Sequence, residues 1–183
     1  MLWIVLIVLV ILVVIGVSLF NRITVLENRI KNAWAQVDVQ LKRRNDLIPN
    51  LLETVKGYAT HEREVFTKVA EARQQSIQAG SVREQAAAEN QMNSALGRLF
   101  AVAEAYPELK ANQNFMALQT ELSETEDKIA YARQFYNDSV LQFNNAIQTI
   151  PGNLIAGPMG KTPQEPLEIP EGERAVPKVS FGQ

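Results

Sequence analysis

The fold is decided by residues 21–60, NRITVLENRIKNAWAQVDVQLKRRNDLIPNLLETVKGYAT. Apolar side chains return every three or four residues along this stretch, and ten steps lead from Ile23 to Ala59, which is 36 positions later. A spacing of 3.6 residues is the period of an amphipathic α-helix. The row consists of Ile23, Leu26, Ile30, Trp34, Val37, Leu41, Asn45, Ile48, Leu52, Val55 and Ala59, with Asn45 as its polar member.

Residues 1–20, ahead of this helix, contain no charged side chain. A helix of that length rises ~30 Å, the thickness of a bilayer hydrocarbon core, so we predict a transmembrane anchor. A cleaved signal peptide is the alternative, but no basic residue precedes the apolar run and Ser18-Leu19-Phe20 fits a cleavage site poorly. The cations that follow at Arg22, Arg29 and Lys31 favour a cytoplasmic location for the rest of the chain.

Pro49 interrupts the amphipathic helix just after the polar run Lys42-Arg43-Arg44-Asn45-Asp46. Proline has no N–H to give the carbonyl of residue 45, and its ring clashes there, so we expect a kink. A kink beside a charge cluster suggests a candidate interaction surface, and the alternative is a solvated bend in a long helix. The candidate residues are Arg43, Arg44, Asn45, Asp46 and Pro49.

Helix-end signals divide the residues that follow. Gly80 suits the left-handed position after a helix, and Ser81-Val82-Arg83-Glu84 matches a capping box that starts the next one. A second apolar row leads in ten steps from Phe115 to Ile150, which is 35 positions later, and the resulting period of 3.5 is typical of coiled-coil packing. We therefore predict an all-α protein, in which residues 21–150 form an elongated antiparallel bundle with long coiled-coil-like helices.

Two asparagines in the last helix, Asn137 and Asn144, are seven residues apart, and Asn145 adjoins the second. Asparagine at a helix seam can fix the register of packing. The alternative is that these amides are exposed. All three are candidate interaction residues.

We predict that residues 151–183 form an extended tail, weakly ordered unless bound, because 11 of these 33 residues are Pro or Gly. Its apolar residues favour strapping onto the bundle or binding a partner over free disorder. Pro151, Leu154 and Ile155 are the tail's candidate contact residues, and Leu167, Ile169, Val176, Val179 and Phe181 continue the apolar series.

The composition argues against an enzyme and against bound metals or cofactors. The chain has no cysteine, one histidine and a net charge of −2, so thiolate sites and a nucleic-acid-binding basic surface are not expected. His61 has no second histidine with which to form a metal site. The Gly-Lys-Thr at residues 160–162 lacks the earlier glycine of a phosphate-binding loop, because position 155 is isoleucine.

Several long strings resemble the LemA family. They are residues 34–58, WAQVDVQLKRRNDLIPNLLETVKGY, then residues 105–111, 129–137 and 143–147, followed by Pro151 and Leu154-Ile155. The sequence departs from the family pattern at Ile150, where phenylalanine is usual, and at Lys161, where an aromatic residue is common.

The resemblance implies a bacterial single-pass protein of the cytoplasmic (inner) membrane, with a helical-bundle domain and no catalytic residues to transfer. A magnetosome-membrane relative suggests a role in membrane organisation. We expect a non-catalytic scaffold or adaptor that contacts the bilayer through residues 1–20 and assembles with itself or with other membrane proteins. The alternative is an accessory or signalling subunit that regulates a membrane enzyme such as a protease.

Overall fold

The computed structural model describes residues 1–167. Within that range the chain forms helices and no strand, which confirms the all-α prediction. The tail residues Ile169, Val176, Val179 and Phe181 lie outside the described part of the chain. The helices are α1 Leu2–Lys56, α2 Arg63–Gln78, α3 Val82–Glu104, α4 Pro107–Lys110, α5 Gln113–Gln148 and α6 Asn153–Ala156.

The described chain divides into two compact units. The first unit comprises residues 1–37 and 131–166, and the second comprises residues 38–130 with Leu167. Helices α1 and α5 each contribute residues to both units.

In the first unit, α1 and α5 run antiparallel. Arg29 Nη1 donates to Gln142 Oε1 at 3.0 Å, whereas Trp34 packs edge-to-face against Tyr136 with 5.4 Å between ring centroids. Higher residue numbers on α1 therefore meet lower numbers on α5. The apolar row of α1 lies in this seam, with Ile23 only 1% exposed.

The second unit holds a hydrophobic core cluster. Helices α2 and α3 pack against each other and, with residues of α1, α4 and α5, enclose a buried apolar core. Its members from α1 and the turn after it are Ile48, Leu51, Leu52, Val55 and Ala59, and those from the other helices include Phe66, Val69, Met92, Leu96, Leu99, Leu109, Phe115 and Leu122.

The turn between α2 and α3 contains the predicted capping box. Ser81 Oγ accepts from the Glu84 N–H at 3.2 Å, and Glu84 Oε2 accepts from the Ser81 N–H at 3.1 Å. The prediction of a left-handed Gly80 was wrong, since Gly160 is the glycine with positive φ in the described chain. Glu84 Oε2 also accepts from the Gly80 N–H at 2.9 Å, so this group is satisfied without a left-handed turn.

Both predicted apolar rows face the protein interior, with one exception. Every member of the α1 row is buried or half-buried, and so is every member of the α5 row up to Ile147. The last member, Ile150, is 81% exposed because α5 ends at Gln148. Helix α1 also continues unbroken from the apolar segment into the amphipathic row and passes through Pro49.

The chain turns sharply after α5. Gly152 occupies a position where a Cβ atom would lie 1.9 Å from the carbonyl oxygen of Ala146, so only glycine fits there without rearrangement. The short helix α6 follows within the tail, where the sequence predicted no helical segment. Residues 161–167 then continue without regular secondary structure.

Candidate functional site

The polar run before Pro49 lies in the second unit and is only partly at the surface. Arg43, Asp46 and Pro49 are exposed, whereas Arg44 is 0% exposed and Asn45 is 6% exposed. Arg44 and Asn45 therefore do not offer the outward-facing contact that the sequence suggested. The reason is their spacing: both lie between Leu41 and Ile48 on the buried face of α1.

Arg44 is surrounded by carboxylates from two other helices of the unit. Its Nη1 lies 3.3 Å from Glu126 Oε2 on α5 and 3.9 Å from Glu89 Oε1 on α3. The Glu89 side chain is nearly as buried as the arginine, and Glu126 reaches the surface. Arg44 Nε and Nη2 have no hydrogen-bond partner among the described residues. A buried charge with few partners depends on those it has, so we assign Arg44 a role inside the fold.

Pro49 leaves a carbonyl oxygen on α1 without its helical donor, and a side chain from α2 replaces that donor. Arg73 Nε donates to the Asn45 carbonyl oxygen at 2.8 Å. The Asn45 side chain is also engaged, because its Nδ2 donates to Ser76 Oγ at 3.1 Å. The free carbonyl oxygen created by Pro49 thus helps to attach α1 to α2 within the second unit. We call the contacts of Asn45 with Arg73 and Ser76 the Pro49 joint.

Arg43 is the member of the run that combines exposure with an ion pair. Its Nη2 donates to Glu121 Oε1 at 3.0 Å, and both side chains remain more than two-fifths exposed. An exposed pair of this kind contributes about 0–1 kcal/mol. Together with Arg44 and Glu126, it shows basic residues of α1 facing acidic residues of α5 within the unit.

The candidate asparagines of the first unit behave differently from one another. Asn144 binds the tail through both ends of its amide: Nδ2 donates to the Gln164 carbonyl oxygen at 2.9 Å, and Oδ1 accepts from the Gln164 N–H at 2.8 Å. Asn145 is exposed and Asn137 is half-buried. Asn144 is therefore a clamp for the tail, a role that neither sequence interpretation anticipated.

Two further contacts hold the tail in the first unit. Lys161 Nζ lies 2.6 Å from Glu27 Oε2 on α1, and this hydrogen bond lowers the pKa of the Glu27 carboxyl. Tyr136 donates its hydroxyl to the Glu165 carbonyl oxygen at 3.1 Å. Burial, with a smaller contribution from the Glu165 carboxylate, raises the Tyr136 pKa. We call residues 161–165, with these contacts, the strap.

The remaining candidates, Pro151, Leu154 and Ile155, lie between α5 and the strap. Pro151 and Leu154 are exposed, Leu154 at 70%, and Ile155 is half-buried. These side chains are available for contact with a partner or with lipid.

No group of three or more His, Asp or Glu side chains suited to a metal ion occurs in residues 1–167. His61 is exposed in the turn between α1 and α2. The Glu27, Glu121 and Glu126 carboxylates are each paired with a lysine or arginine. These ion pairs connect different segments of the chain and contribute to a polar outer surface.

Comparison with known proteins places the chain in a family. A family model described as the LemA family matches residues 33–181, which is more than half of the sequence. The chain belongs to the LemA family. The match includes the contact between Trp34 and Tyr136, Pro49 and residues 161–165 of the strap, and it starts after the apolar segment.

Three relatives illustrate what this LemA-family chain is similar to. Magnetosome protein MamQ 2 of Paramagnetospirillum magneticum is 26% identical over 163 residues, covering 75% of this chain and 60% of the relative. Magnetosome protein MamQ of Magnetospirillum gryphiswaldense is 28% identical over 145 residues, with 65% and 53% covered. Protein LemA of Metamycoplasma hominis is 30% identical over 132 residues, with 71% and 60% covered. The chain spans about half to three-fifths of the length of these bacterial relatives.

Proposed function

We propose that this LemA-family protein is a non-catalytic scaffold or adaptor of a bacterial inner membrane, working by assembly with further copies of itself. The observation that supports the membrane location is the composition of α1. An 18-residue window of this helix has a mean hydropathy of 3.3, and none of that window is buried in the protein. The same helix continues without a break into the buried seam of the first unit.

A fully exposed apolar helix requires an apolar environment, and its length suits a bilayer. The cations Arg22, Arg29 and Lys31 follow directly and favour a cytoplasmic location for the folded units. The names of the MamQ relatives refer to magnetosomes, which supports a role in organising membranes. None of the relatives' names describes an enzymatic activity.

The exposed part of the candidate surface is the place to test assembly. Arg43 and Asp46 point outward from the second unit, so reversing their charges (Arg43→Glu with Asp46→Lys) perturbs a contact surface while the buried Arg44 stays intact. We expect the full-length protein in native membranes to form smaller complexes on native gels after mild detergent extraction. Its helical circular dichroism should remain unchanged.

A matched control separates assembly from the internal ion pair. The swap Arg43→Glu with Glu121→Arg restores a pair across the same 3.0 Å contact but leaves position 43 negative. If the surface binds another copy, the swap still reduces complex size. If the swap restores complexes of wild-type size, the effect of Arg43 is internal and the proposed docking role of this surface is refuted.

A further inference from the structure

The first unit contains a cleft that begins at the end of the apolar segment. It has a volume of about 380 Å³ and lies between α1 and the turn that follows α5. Leu19 and Arg22 line it on the α1 side, and Asn145 and Ile150 line it on the other side. Because Leu19 belongs to the apolar segment, the turn after α5 lies at the depth where that segment ends.

Arg22 is the first cation after the apolar segment, and its charge is uncommitted. It is exposed and makes no hydrogen bond or ion pair with any described residue. Arg29, seven residues further along α1, makes two contacts: it donates a hydrogen bond to Gln142, and its guanidinium stacks over the Phe135 ring at 5.1 Å from the centroid. Arg22 is therefore the cation of this region that is free to bind an anion.

Two large apolar side chains project from the turn beside Arg22. Ile150 is 81% exposed although it completes the buried row of α5, and Leu154 is 70% exposed on α6. Transfer of each of these side chains from water to an apolar phase is favourable by ~1.5–3 kcal/mol. An apolar phase is available at this depth if residues 2–20 cross a bilayer.

We propose that residues 149–154 rest on the membrane surface, with Ile150 and Leu154 in its apolar layer and Arg22 bound to the phosphate of an anionic phospholipid in the cleft. The guanidinium suits a phosphate because its N–H groups form a planar fork. Its aliphatic stem can lie along the apolar wall while the charged end reaches the headgroup. This inference rests on the membrane span in the proposed function.

Site-directed fluorescence tests the depth of the turn in the full-length protein. The chain has no cysteine, so each of Val10→Cys, Ile150→Cys, Leu154→Cys and Tyr131→Cys carries a single label. The probes are two sets of vesicles of phosphatidylcholine and phosphatidylglycerol in equal amounts, one with a nitroxide quencher at a shallow position of the acyl chain, for residues at the surface, and one with the nitroxide at a deep position, for Val10. Tyr131 is the matched control, since it is 73% exposed in the same unit but lies ~25 Å along α5 from the turn.

We expect quenching at Val10, Ile150 and Leu154 and none at Tyr131. Quenching at Val10 without quenching at Ile150 and Leu154 overturns this inference and leaves the membrane span standing. Absence of quenching at Val10 refutes the span itself, and the inference with it. A cross-link between two copies at Ile150→Cys, with no quenching there, assigns the apolar pair to a protein contact and also overturns the inference.

The headgroup contact has its own test. We expect Arg22→Gln to reduce the preference for phosphatidylglycerol over phosphatidylcholine vesicles by about fivefold, the effect of one cation at an anionic surface. Lys31→Gln removes the same charge from a site ~13 Å further along α1, where the lysine is paired with Glu27, and is expected to change the preference much less. Equal losses in the two variants overturn the assignment of Arg22. So does a Leu154→Cys signal that changes with inorganic phosphate but not with phosphatidylglycerol.

Discussion

The hydrogen bond from Arg73 to the Asn45 carbonyl oxygen leads to a quantitative prediction about the free energy of unfolding. Pro49 deprives the Asn45 carbonyl oxygen of its helical donor, and Arg73 Nε supplies a substitute at 2.8 Å. In a Pro49→Ala background, the new backbone N–H at position 49 would donate to the same oxygen. Arg73 should therefore contribute more to the free energy of unfolding in the wild-type chain than in the Pro49→Ala variant.

The expected size follows from the kind of hydrogen bond. Hydrogen bonds from charged donors contribute about 1.5–3 kcal/mol, and the half-buried position of Arg73 favours the lower end. We expect Arg73→Met to lower the free energy of unfolding by about 1.5 kcal/mol in the wild-type chain and about 0.5 kcal/mol in Pro49→Ala. The coupling of about 1 kcal/mol corresponds to ~2–4 °C in the melting temperature of a chain this long.

The assay is denaturant unfolding of the full-length protein in mild detergent, followed by circular dichroism, for the wild type, both single variants and the double variant. Arg98→Met is the matched control, because Arg98 is an exposed arginine and makes no hydrogen bond with a described residue. Its effect should stay within about 0.5 kcal/mol. Equal costs of Arg73→Met in the two backgrounds would refute the claim that Arg73 replaces the missing helical donor.

Three other predictions concern the buried arginine and the strap. Arg44→Ala should lower the free energy of unfolding by about 3–5 kcal/mol, measured by denaturant unfolding, because it removes the buried cation that lies against the Glu126 and Glu89 carboxylates. Asn144→Ala should speed tryptic cleavage after Lys161 by removing both hydrogen bonds to Gln164, whereas Asn145→Ala should not. The lowered pKa of Glu27 stabilises the strap fully above its ordinary value of 4.5, and this stabilisation is lost as the pH falls through the lowered pKa, so a fluorescent label on the tail should report its release in acid.

Each of these predictions has an outcome that contradicts it. A loss below 1 kcal/mol for Arg44→Ala would mean that the buried arginine contributes little to folding. Equal cleavage rates in the two asparagine variants would remove Asn144 as the clamp. The acid release should weaken in Lys161→Gln, which has no cation to offer Glu27, and an unchanged pH profile in that variant would assign the release to other groups.

The helix pattern was predictable from the sequence because burial follows a regular period on each long helix, 3.6 residues on α1 and 3.5 on α5. The capping box at Ser81 and the end of α5 near Pro151 were also predictable, because local hydrogen bonds determine the first and the missing N–H of proline determines the second. Asn45 was already a member of the buried row. Arg44 was misjudged because its charge suggested the surface, although its position three residues after Leu41 placed it on the apolar face.

The contacts of the strap were not predictable in the same way. Asn144 meets Gln164 across a turn, and Glu27 meets Lys161 across 134 positions of sequence. No periodic signal connects residues so far apart, and an asparagine or lysine looks the same in sequence whether it is paired or free. Arg73 was missed for the same reason, because its partner is a backbone carbonyl that Pro49 alone makes available.

Cross-linking of the full-length chain in native membranes, followed by purification and mass analysis, tests the scaffold proposal most directly. We expect a ladder of species at multiples of 20.4 kDa. A species of 20.4 kDa alone, under conditions that cross-link a known oligomer in the same membranes, would contradict it. So would one band that contains a single different membrane protein, which would assign the chain to the role of an accessory subunit.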